Sequence, residues 1–196
     1  MRIIDLKVIL PVLTLAALVF GCGDPVVINE VLQQQEGQKI YTKYNIWFEN
    51  PTDISCLNIQ KGSRIPVGTE IIPVKTTYND YLVFQIAGHD EQMYWLNFDS
   101  GYRLCAMRDY VEMTFTTTPP EELLKDVSPA FKERILRGEV VPGMNRQEVM
   151  FAYGPPPTVR TPTLKNESWI YWIDEAKTIR VVFRADKVRN ILNIND

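Results

Sequence analysis

Apolar and polar residues alternate with a period of two in two separate stretches of the chain. In the first, over residues 41–117, short segments such as EIIPVKT, YLVFQIA and QMYWLNF are separated by turn sequences. This spacing predicts a small all-β domain, a barrel or a sandwich, with YRLCAM and VEMTFT as its last strands. Pro73 has no amide proton to donate, so its strand is predicted to lie at an edge or to bend.

The second stretch of alternation begins at SWIYWID and continues through TIRVVFRAD and KVRNILNI. Three consecutive strands with short connections predict an antiparallel sheet. Because side chains alternate between the two faces of a strand, Trp169 and Tyr171 are predicted to share one face, with Trp172 on the other. These three residues form the predicted binding surface. If helices cover the first face, Trp172 is left either for burial against the N-terminal domain, which we favour, or for contact with a partner.

Between the two stretches the pattern is helical. TTTPPEE marks a boundary, and Ser128 followed by a proline predicts the start of a helix. In PGMNRQEVMFAYGPPP, Asn145 predicts a second N-cap with Glu148 completing a capping box, and Gly154 ends the helix. Helices this short are unstable alone in water, so we expect them to pack on the second sheet. Residues 120–194 are therefore predicted to form an α+β domain.

The N-terminal segment is typical of an export signal. An apolar run from Val8 to Phe20 is too short to span a bilayer but has the length of a signal-peptide core. It ends in LVFGC, which resembles the lipobox of bacterial lipoproteins, where the cysteine carries the lipid. We therefore predict a signal peptide over residues 1–21, acyl chains on Cys22, and a periplasm-facing protein anchored by them, with the outer membrane favoured. An ordinary secretory signal and an uncleaved anchor helix are the alternatives.

The residues after the predicted cleavage site are polar, and residues 22–40, which include QQQEGQK, are predicted to be a tether. Two more cysteines follow, Cys56 and Cys105. An even pair in an exported chain is consistent with a disulfide. Two separate buried thiols are an equal alternative, because sequence spacing does not give the distance between the two Cα atoms.

Composition and charge exclude several kinds of chemistry. The 196-residue chain has a formal net charge of −3 and 45% hydrophobic residues, which is ordinary for a globular protein. No basic run marks a nucleic-acid-binding surface. His89 is the one histidine and lies in the turn sequence GHDE, where a solvated side chain is the simplest interpretation, so neither a metal nor a cofactor is predicted. Phosphate-binding loops and nucleophile elbows are absent from the sequence. We therefore expect a protein that binds rather than catalyses.

The C-terminal pattern resembles a known family. GMNRQEVMFAYGPP, WIYW and VVFRADKVRNI together resemble the SmpA/OmlA/BamE-like domain of bacterial lipoproteins. The residues that fit its pattern are Gly143, Glu148, Val149, Gly154, Pro156, Trp169, Tyr171, Val181, Phe183, Val188 and Ile191. The resemblance covers residues 128–194 and implies two helices on a three-stranded antiparallel sheet, with a non-enzymatic role in outer-membrane assembly. IPVGTEI, in the first stretch, weakly resembles the start of a bacterial SH3-like barrel.

Three functional hypotheses follow. The first is an envelope lipoprotein that binds or scaffolds a protein partner, with a role in outer-membrane biogenesis or integrity. The second is a peptidoglycan-binding lipoprotein, which an exposed aromatic groove in residues 41–116 would favour. The third is an inhibitor of a periplasmic enzyme, which an exposed aromatic sheet face in residues 158–194 would favour.

Overall fold

The computed structural model describes residues 25–174 and 176–195. The predicted signal peptide and Cys22 lie outside these ranges. Within them the chain is an α+β protein, as predicted, with a curled multi-stranded sheet and several short helices. Helices in these ranges all fall short of the length and apolarity needed to cross a bilayer. We refer to residues 25–119 as the N-terminal unit and to residues 120–195 as the C-terminal unit.

The N-terminal unit is built on one main sheet. Its elements in chain order are α1 Ile28–Val31, β1 Ile40–Thr42, β2 Ile46–Phe48, β3 Ile54–Ser55, β4 Ser63–Ile65, β5 Glu70–Val74, β6 Tyr81–Ile86, β7 His89–Asn97, α2 Ser100–Arg103, α3 Met107–Thr114 and β8 Phe115–Thr116. The strand order of the main sheet is β3-β7-β6-β5-β1-β8, and β2 pairs separately with β4. Strand β1 pairs with β5 only at Glu70 and Ile71, so Pro73 lies at a local edge, where its missing amide proton costs no sheet hydrogen bond.

The N-terminal unit is not all-β, because α2 and α3 occupy the two segments predicted as its last strands. The Asp99 carboxylate accepts a hydrogen bond from Gly101 N at 2.7 Å and caps α2. Four residues with the spacing of one helix face are buried in α3: Met107, Tyr110, Val111 and Thr114. VEMTFT alternates over too few residues to distinguish a strand from one side of a helix. The strand prediction is therefore wrong for YRLCAM and for the first four residues of VEMTFT, whereas its last two residues, Phe115 and Thr116, do form strand β8.

The segment before β1 belongs to the folded body instead of forming a free tether. Val27, Ile28 and Val31 are buried, and α1 packs against α3 in the main core of the N-terminal unit. These apolar residues directly precede the polar run QQQEGQK, whose composition dominated the sequence interpretation. The prediction of a tether over residues 22–40 is therefore wrong for residues 26–32, which pack in the core, whereas residues 35–39 are exposed and residues 22–24 lie outside the described ranges.

The C-terminal unit places two helices on a three-stranded antiparallel sheet. Its elements are α4 Pro120–Leu123, α5 Pro129–Leu136, α6 Arg146–Tyr153, β9 Ser168–Trp172, β10 Lys177–Arg184 and β11 Lys187–Asn195, with sheet order β11-β10-β9. The capping box of α6 is confirmed, since Asn145 Oδ1 accepts from Glu148 N at 2.9 Å and Asn145 N donates to Glu148 Oε2 at 2.6 Å. The helices bury Trp169 and Tyr171 beneath them, so the predicted packing on the second sheet is also confirmed.

The two units meet at the C-terminal ends of α5 and α6. The last carbonyl groups of a helix have no partner within it, and asparagines of the N-terminal unit supply the donors here. Asn45 Nδ2 donates to Ile135 O at 2.6 Å and to Ala152 O at 3.0 Å. Asn58 Nδ2 donates to Tyr153 O at 2.8 Å. Both asparagines are buried, so the junction depends on a satisfied polar network and not on apolar contact alone.

Candidate ligand-binding site

Three aromatic side chains form an outward-facing cluster on the N-terminal sheet. Tyr81 of β6 and Trp95 of β7 point away from the core, because their neighbours Leu82 and Leu96 are buried on its inner side. Tyr78 folds onto them from the preceding loop, and the three ring centroids lie between 5.8 and 6.2 Å apart. Tyr78 is 58% exposed, so the cluster opens to solvent. We call Tyr78, Tyr81 and Trp95 the aromatic cluster.

The sheet face around the cluster is also apolar. Ile72 and Met93 share this face and are 44% and 36% exposed. Val83 of β6 pairs directly with Trp95 of β7 and is buried. Soluble proteins seldom leave large contiguous apolar patches exposed, so this face is typical of a binding surface.

A polar cavity of about 470 Å³ adjoins the cluster. Its lining consists of Asn79, Asp80, Asn97, Phe98, Asp99, Ser100 and Met107. Asn97 lies directly across the sheet from Tyr81, and Asn79 and Asp80 connect Tyr78 to Tyr81 along the chain. The aromatic rings and the polar groups therefore lie side by side. The lining offers amide, carboxylate and hydroxyl groups and contains no basic side chain.

A second cavity, of about 280 Å³, continues from the first. The two share Asn97 and Asp99, and the second is further lined by Asp53, Ser55, Cys56, Leu57 and Tyr102. Tyr102 is 46% exposed at this end. We call the two cavities together the polar groove. It has the aromatic cluster at one end and a single exposed tyrosine at the other.

The aromatic residues selected from the sequence lie elsewhere. Trp169 and Tyr171 are fully buried; Trp169 Nε1 donates to Leu164 O at 3.2 Å and the Tyr171 hydroxyl to Gly154 O at 3.0 Å. They belong to the core of the C-terminal unit and offer no surface to a partner. Trp172 is half-buried at the junction, where it packs edge-on against Tyr102 of the N-terminal unit, with ring centroids 6.3 Å apart.

Cys56 and Cys105 are free thiols in the structure. Cys56 is buried, and its Sγ accepts a hydrogen bond from Asp99 N at 3.3 Å. Burial raises the pKa of the Cys56 thiol. It also raises the pKa of the Cys105 thiol, which is less deeply buried. Thiols with raised pKa values carry little thiolate at neutral pH, so the structure does not make either cysteine a reactive nucleophile.

Arg103 is a buried cation whose described partners are backbone carbonyl groups. Its Nε donates to Cys56 O at 2.7 Å and its Nη1 to Pro155 O at 2.9 Å, while its guanidinium lies 5.1 Å from the centre of the Tyr110 ring. Because Pro155 follows α6, Arg103 links the two units in the same way as Asn45 and Asn58. Its role in the structure is to hold the junction beneath the polar groove.

The one histidine of the chain and its two acidic neighbours are solvated. His89, Asp90 and Glu91 are exposed at the start of β7. Within residues 25–174 and 176–195, no three or more His, Cys, Asp and Glu side chains are grouped as metal ligands. The groove carboxylates Asp53, Asp80 and Asp99 are also exposed.

Sequence reasoning placed Trp95 in a strand but missed the cluster. The available signal was that YLVF and MYWL, within the strand segments YLVFQIA and QMYWLNF, carry apolar residues on both faces of their strands. A strand of this kind is either buried on both sides or exposes an apolar face. Only the position of α3 shows which of these applies.

No protein-family model matches the chain, and comparisons with curated proteins and with solved structures return no significant match. The class of protein that the fold and the site define is therefore a two-unit α+β protein with an aromatic, polar-lined surface groove. Its function has to be inferred from its own residues and geometry.

Proposed function

We propose that this protein is a lipid-anchored envelope protein that binds, without catalysis, an uncharged glycan of the cell-wall type. The observation that carries the proposal is the solvent-open aromatic cluster beside the polar groove. An exposed aromatic groove in residues 41–116 is the feature expected of a peptidoglycan-binding lipoprotein. It therefore favours that hypothesis over an inhibitor of a periplasmic enzyme.

The groove has both kinds of contact that a sugar needs. The faces of a pyranose ring present C–H groups, which pack against aromatic rings, and its rim presents hydroxyl and acetamido groups. Asn79, Asn97 and Ser100 supply donors and acceptors for that rim. Asp80 and Asp99 add acceptors and make the groove acidic, so a neutral N-acetylated glycan fits it better than an anionic one.

The length of the groove favours a chain of sugars over a single residue. The two cavities share a wall at Asn97 and Asp99, and exposed aromatic rings lie at both ends. Aromatic anchors spaced along a polar groove bind successive units of a polymer and add their contributions.

A binding role is preferred to hydrolysis for a physical reason. Glycosidases use a pair of carboxylic groups, one of which is held protonated by a buried or apolar environment. The groove carboxylates Asp53, Asp80 and Asp99 are all exposed, and Asp99 is occupied in capping α2. The groove lacks the burial that such an acid requires.

The family assignments are part of the proposal. Two helices on a three-stranded antiparallel sheet, with a capping box at Asn145, support a BamE-like C-terminal unit. An SH3-like barrel for the N-terminal unit has weaker support, because α2 and α3 interrupt its strands and β3 pairs with β7 in parallel.

The proposed anchor would hold the body close to a membrane. If Cys22 is lipidated, five peptide units separate it from Val27, which is already buried. An extended chain of that length reaches at most about 17 Å. The folded body would therefore begin within that distance of the bilayer surface.

The binding proposal is tested with purified peptidoglycan sacculi and with chitotetraose, a soluble N-acetylglucosamine tetramer. We expect the full-length protein, purified in neutral detergent, to bind both. Tyr78→Ala and Trp95→Ala should each weaken chitotetraose binding about tenfold or more, because each removes an anchor ring. Leu192→Ala, at an exposed apolar residue of the C-terminal unit, is the control and should bind normally.

The outcomes separate the parts of the proposal. Unchanged chitotetraose binding in both aromatic variants would show that the glycan binds somewhere other than the aromatic cluster. If neither sacculi nor chitotetraose binds, the glycan proposal fails.

The anchor is tested separately by the intact mass of the protein extracted from its own cells. We expect the mass of residues 22–196 plus acyl chains. An unlipidated mass would remove the envelope anchor and leave the glycan test unaffected.

A second candidate function, scaffolding of a protein partner, is favoured by the open face of the C-terminal sheet. Helices cover one face, while the other carries Ile170, Val182 and Leu192, the last of these 46% exposed. Crosslinking through a photoreactive residue at position 192 in cells would test it. A specific crosslinked envelope protein supports this function, and crosslinks to none oppose it.

A further inference from the structure

A group of basic side chains surrounds the turn between β10 and β11, far along the chain from the aromatic cluster. Arg184, Lys187 and Arg189 lie on this hairpin and Lys165 on the loop before β9, and all four are exposed. We call them the basic hairpin surface. They line two adjoining depressions of about 580 and 490 Å³, which share Arg184, Ala185 and Arg189.

The positive charge of this surface is largely unbalanced. Two carboxylates line the depressions, Glu167 and Asp186, and Asp186 is already paired with Arg146 at 2.8 Å. Within the described part of the chain, the four basic side chains form no ion pair. Arg184 and Lys187 face each other directly across the hairpin, an arrangement that destabilises a sheet unless an anion lies between the two charges.

The backbone beneath the charges is tightly held. Ala185 and Asp186 both have positive φ, +51° and +58°, which is the geometry of a two-residue hairpin turn of type I′. A left-handed alanine costs on the order of 1 kcal/mol, and such strain is concentrated at functional sites. The turn therefore places Arg184 and Lys187 at directly paired positions of the hairpin.

Arg146 contacts the same hairpin and stabilises it. Its guanidinium lies 4.4 Å from the centre of the Phe183 ring and 5.3 Å from that of Trp169, and it donates to Leu164 O at 2.6 Å. Together with its ion pair to Asp186, these contacts use Arg146 as a structural support. The exposed basic side chains around it are left to contact a ligand.

We propose that the basic hairpin surface binds phosphate groups of an anionic ligand through Arg184, Lys187 and Arg189. Arginine guanidinium groups match phosphate oxygens with two parallel hydrogen bonds, and lysine adds a mobile point charge. Several cations around two connected depressions fit a ligand with more than one negative charge. The acidic polar groove disfavours the same ligand, so the two sites have different specificities and this inference stands apart from the proposed function.

The test uses the full chain in neutral detergent. Binding is measured from the backbone amide NMR signals of residues 184–189. One arm adds sodium tripolyphosphate, a soluble phosphate, and the other adds phosphatidylglycerol to the micelles. We expect saturable shifts at the hairpin in at least one arm, weakened by added salt. A shift with tripolyphosphate alone indicates a soluble phosphate ligand, and a shift with phosphatidylglycerol alone indicates a lipid headgroup.

The variant carries Arg184→Gln, Lys187→Gln and Arg189→Gln together, and should weaken binding by at least about tenfold. The matched control carries Lys75→Gln, Arg108→Gln and Lys177→Gln, which remove the same charge from exposed positions elsewhere. The control should bind as the unmodified protein does, and unchanged melting temperatures would show that both variants fold. Equal weakening in the two variants would show that binding depends on net charge alone and would contradict a specific site. The absence of a hairpin shift in both arms would overturn the proposal.

Discussion

The two units carry large aromatic residues at alternating positions of a sheet, and they use them in opposite ways. In the C-terminal unit, Trp169 and Tyr171 lie under α5 and α6 and form the centre of a core. In the N-terminal unit, Tyr81 and Trp95 lie on the face that α3 leaves uncovered, because α3 packs on the other face against residues such as Phe84.

The comparison shows that residue type does not decide whether an aromatic side chain builds a core or a site. Both pairs lie in strands rich in aromatic and aliphatic residues, YLVF beside MYWL and SWIYW beside TIRVV. The difference is made by the helix that each sheet acquires and by the face on which it packs.

The largest effect we expect is a contrast between two tryptophans. Trp169→Ala should lower the free energy of unfolding by about 4 kcal/mol, because it removes a fully buried ring and leaves a cavity. Trp95→Ala should lower it by about 1 kcal/mol, since its ring is partly in solvent already. Chemical denaturation of the two variants measures both values. Losses of equal size would show that the aromatic cluster is structural, and would contradict its assignment as a site.

A smaller loss is expected at the junction between the units. Asn45→Ala should cost about 3 kcal/mol, because it leaves the carbonyl groups of Ile135 and Ala152 buried without donors. Asn190→Ala, an exposed asparagine on β11, is the control and should change stability by less than about 0.5 kcal/mol. Denaturation curves report the difference. If Asn45→Ala were as mild as its control, the two units would be only loosely associated.

A third substitution tests how closely the units approach. Gly154 has a φ of +77°, and a Cβ there would lie 2.8 Å from Asn58 Nδ2 and from Tyr44 Cδ2. Gly154→Ala should therefore cost about 2 kcal/mol, from the strained φ and the clash together. Gly37, with a φ of +76°, has nothing within 4 Å of the same position. Gly37→Ala should show the backbone cost of about 1 kcal/mol alone, and equal costs at the two glycines would argue against the close approach.

The smallest effect we expect is a pH dependence of the free energy of unfolding, which is absent near neutral pH. Burial raises the pKa of Tyr110 in one unit and of Tyr171 in the other well above the usual 10.0. A raised pKa in the folded state means that stability is complete below about pH 10 and falls as pH rises above it, since the unfolded chain loses these protons first. Unfolding measured from pH 8 to pH 11 checks this. The fall should be shallower in Tyr171→Phe, and an unchanged slope would contradict the assignment.

Local features of the C-terminal unit were predictable because they depend on neighbours in the chain. The capping box at Asn145 and Glu148, the helix end at Gly154 and the alternation of Trp169 with Tyr171 all arise within a few residues. In the N-terminal unit, strands β5, β6 and β7 were predictable for the same reason.

The features that were missed depend on contacts distant in sequence. The first four residues of VEMTFT are helical because α3 packs against a sheet face, and residues 26–31 are packed because α1 contacts α3. The aromatic cluster unites Tyr78 and Tyr81 with Trp95 across a hairpin, and the polar groove adds Asp53 and Tyr102 from further along the chain. A single sequence carries no signal for such long-range contacts beyond the composition of each segment.

The sequence by itself determined which residues begin and end the helices of the C-terminal unit, which strands alternate, and that both units are rich in aromatic side chains. Those properties follow from backbone hydrogen bonding and side-chain geometry over one or two turns of chain. The tertiary structure alone decided which sheet face is covered, and so which aromatic residues form a core and which form a site. That choice is made by the burial of apolar area between elements that only folding brings together.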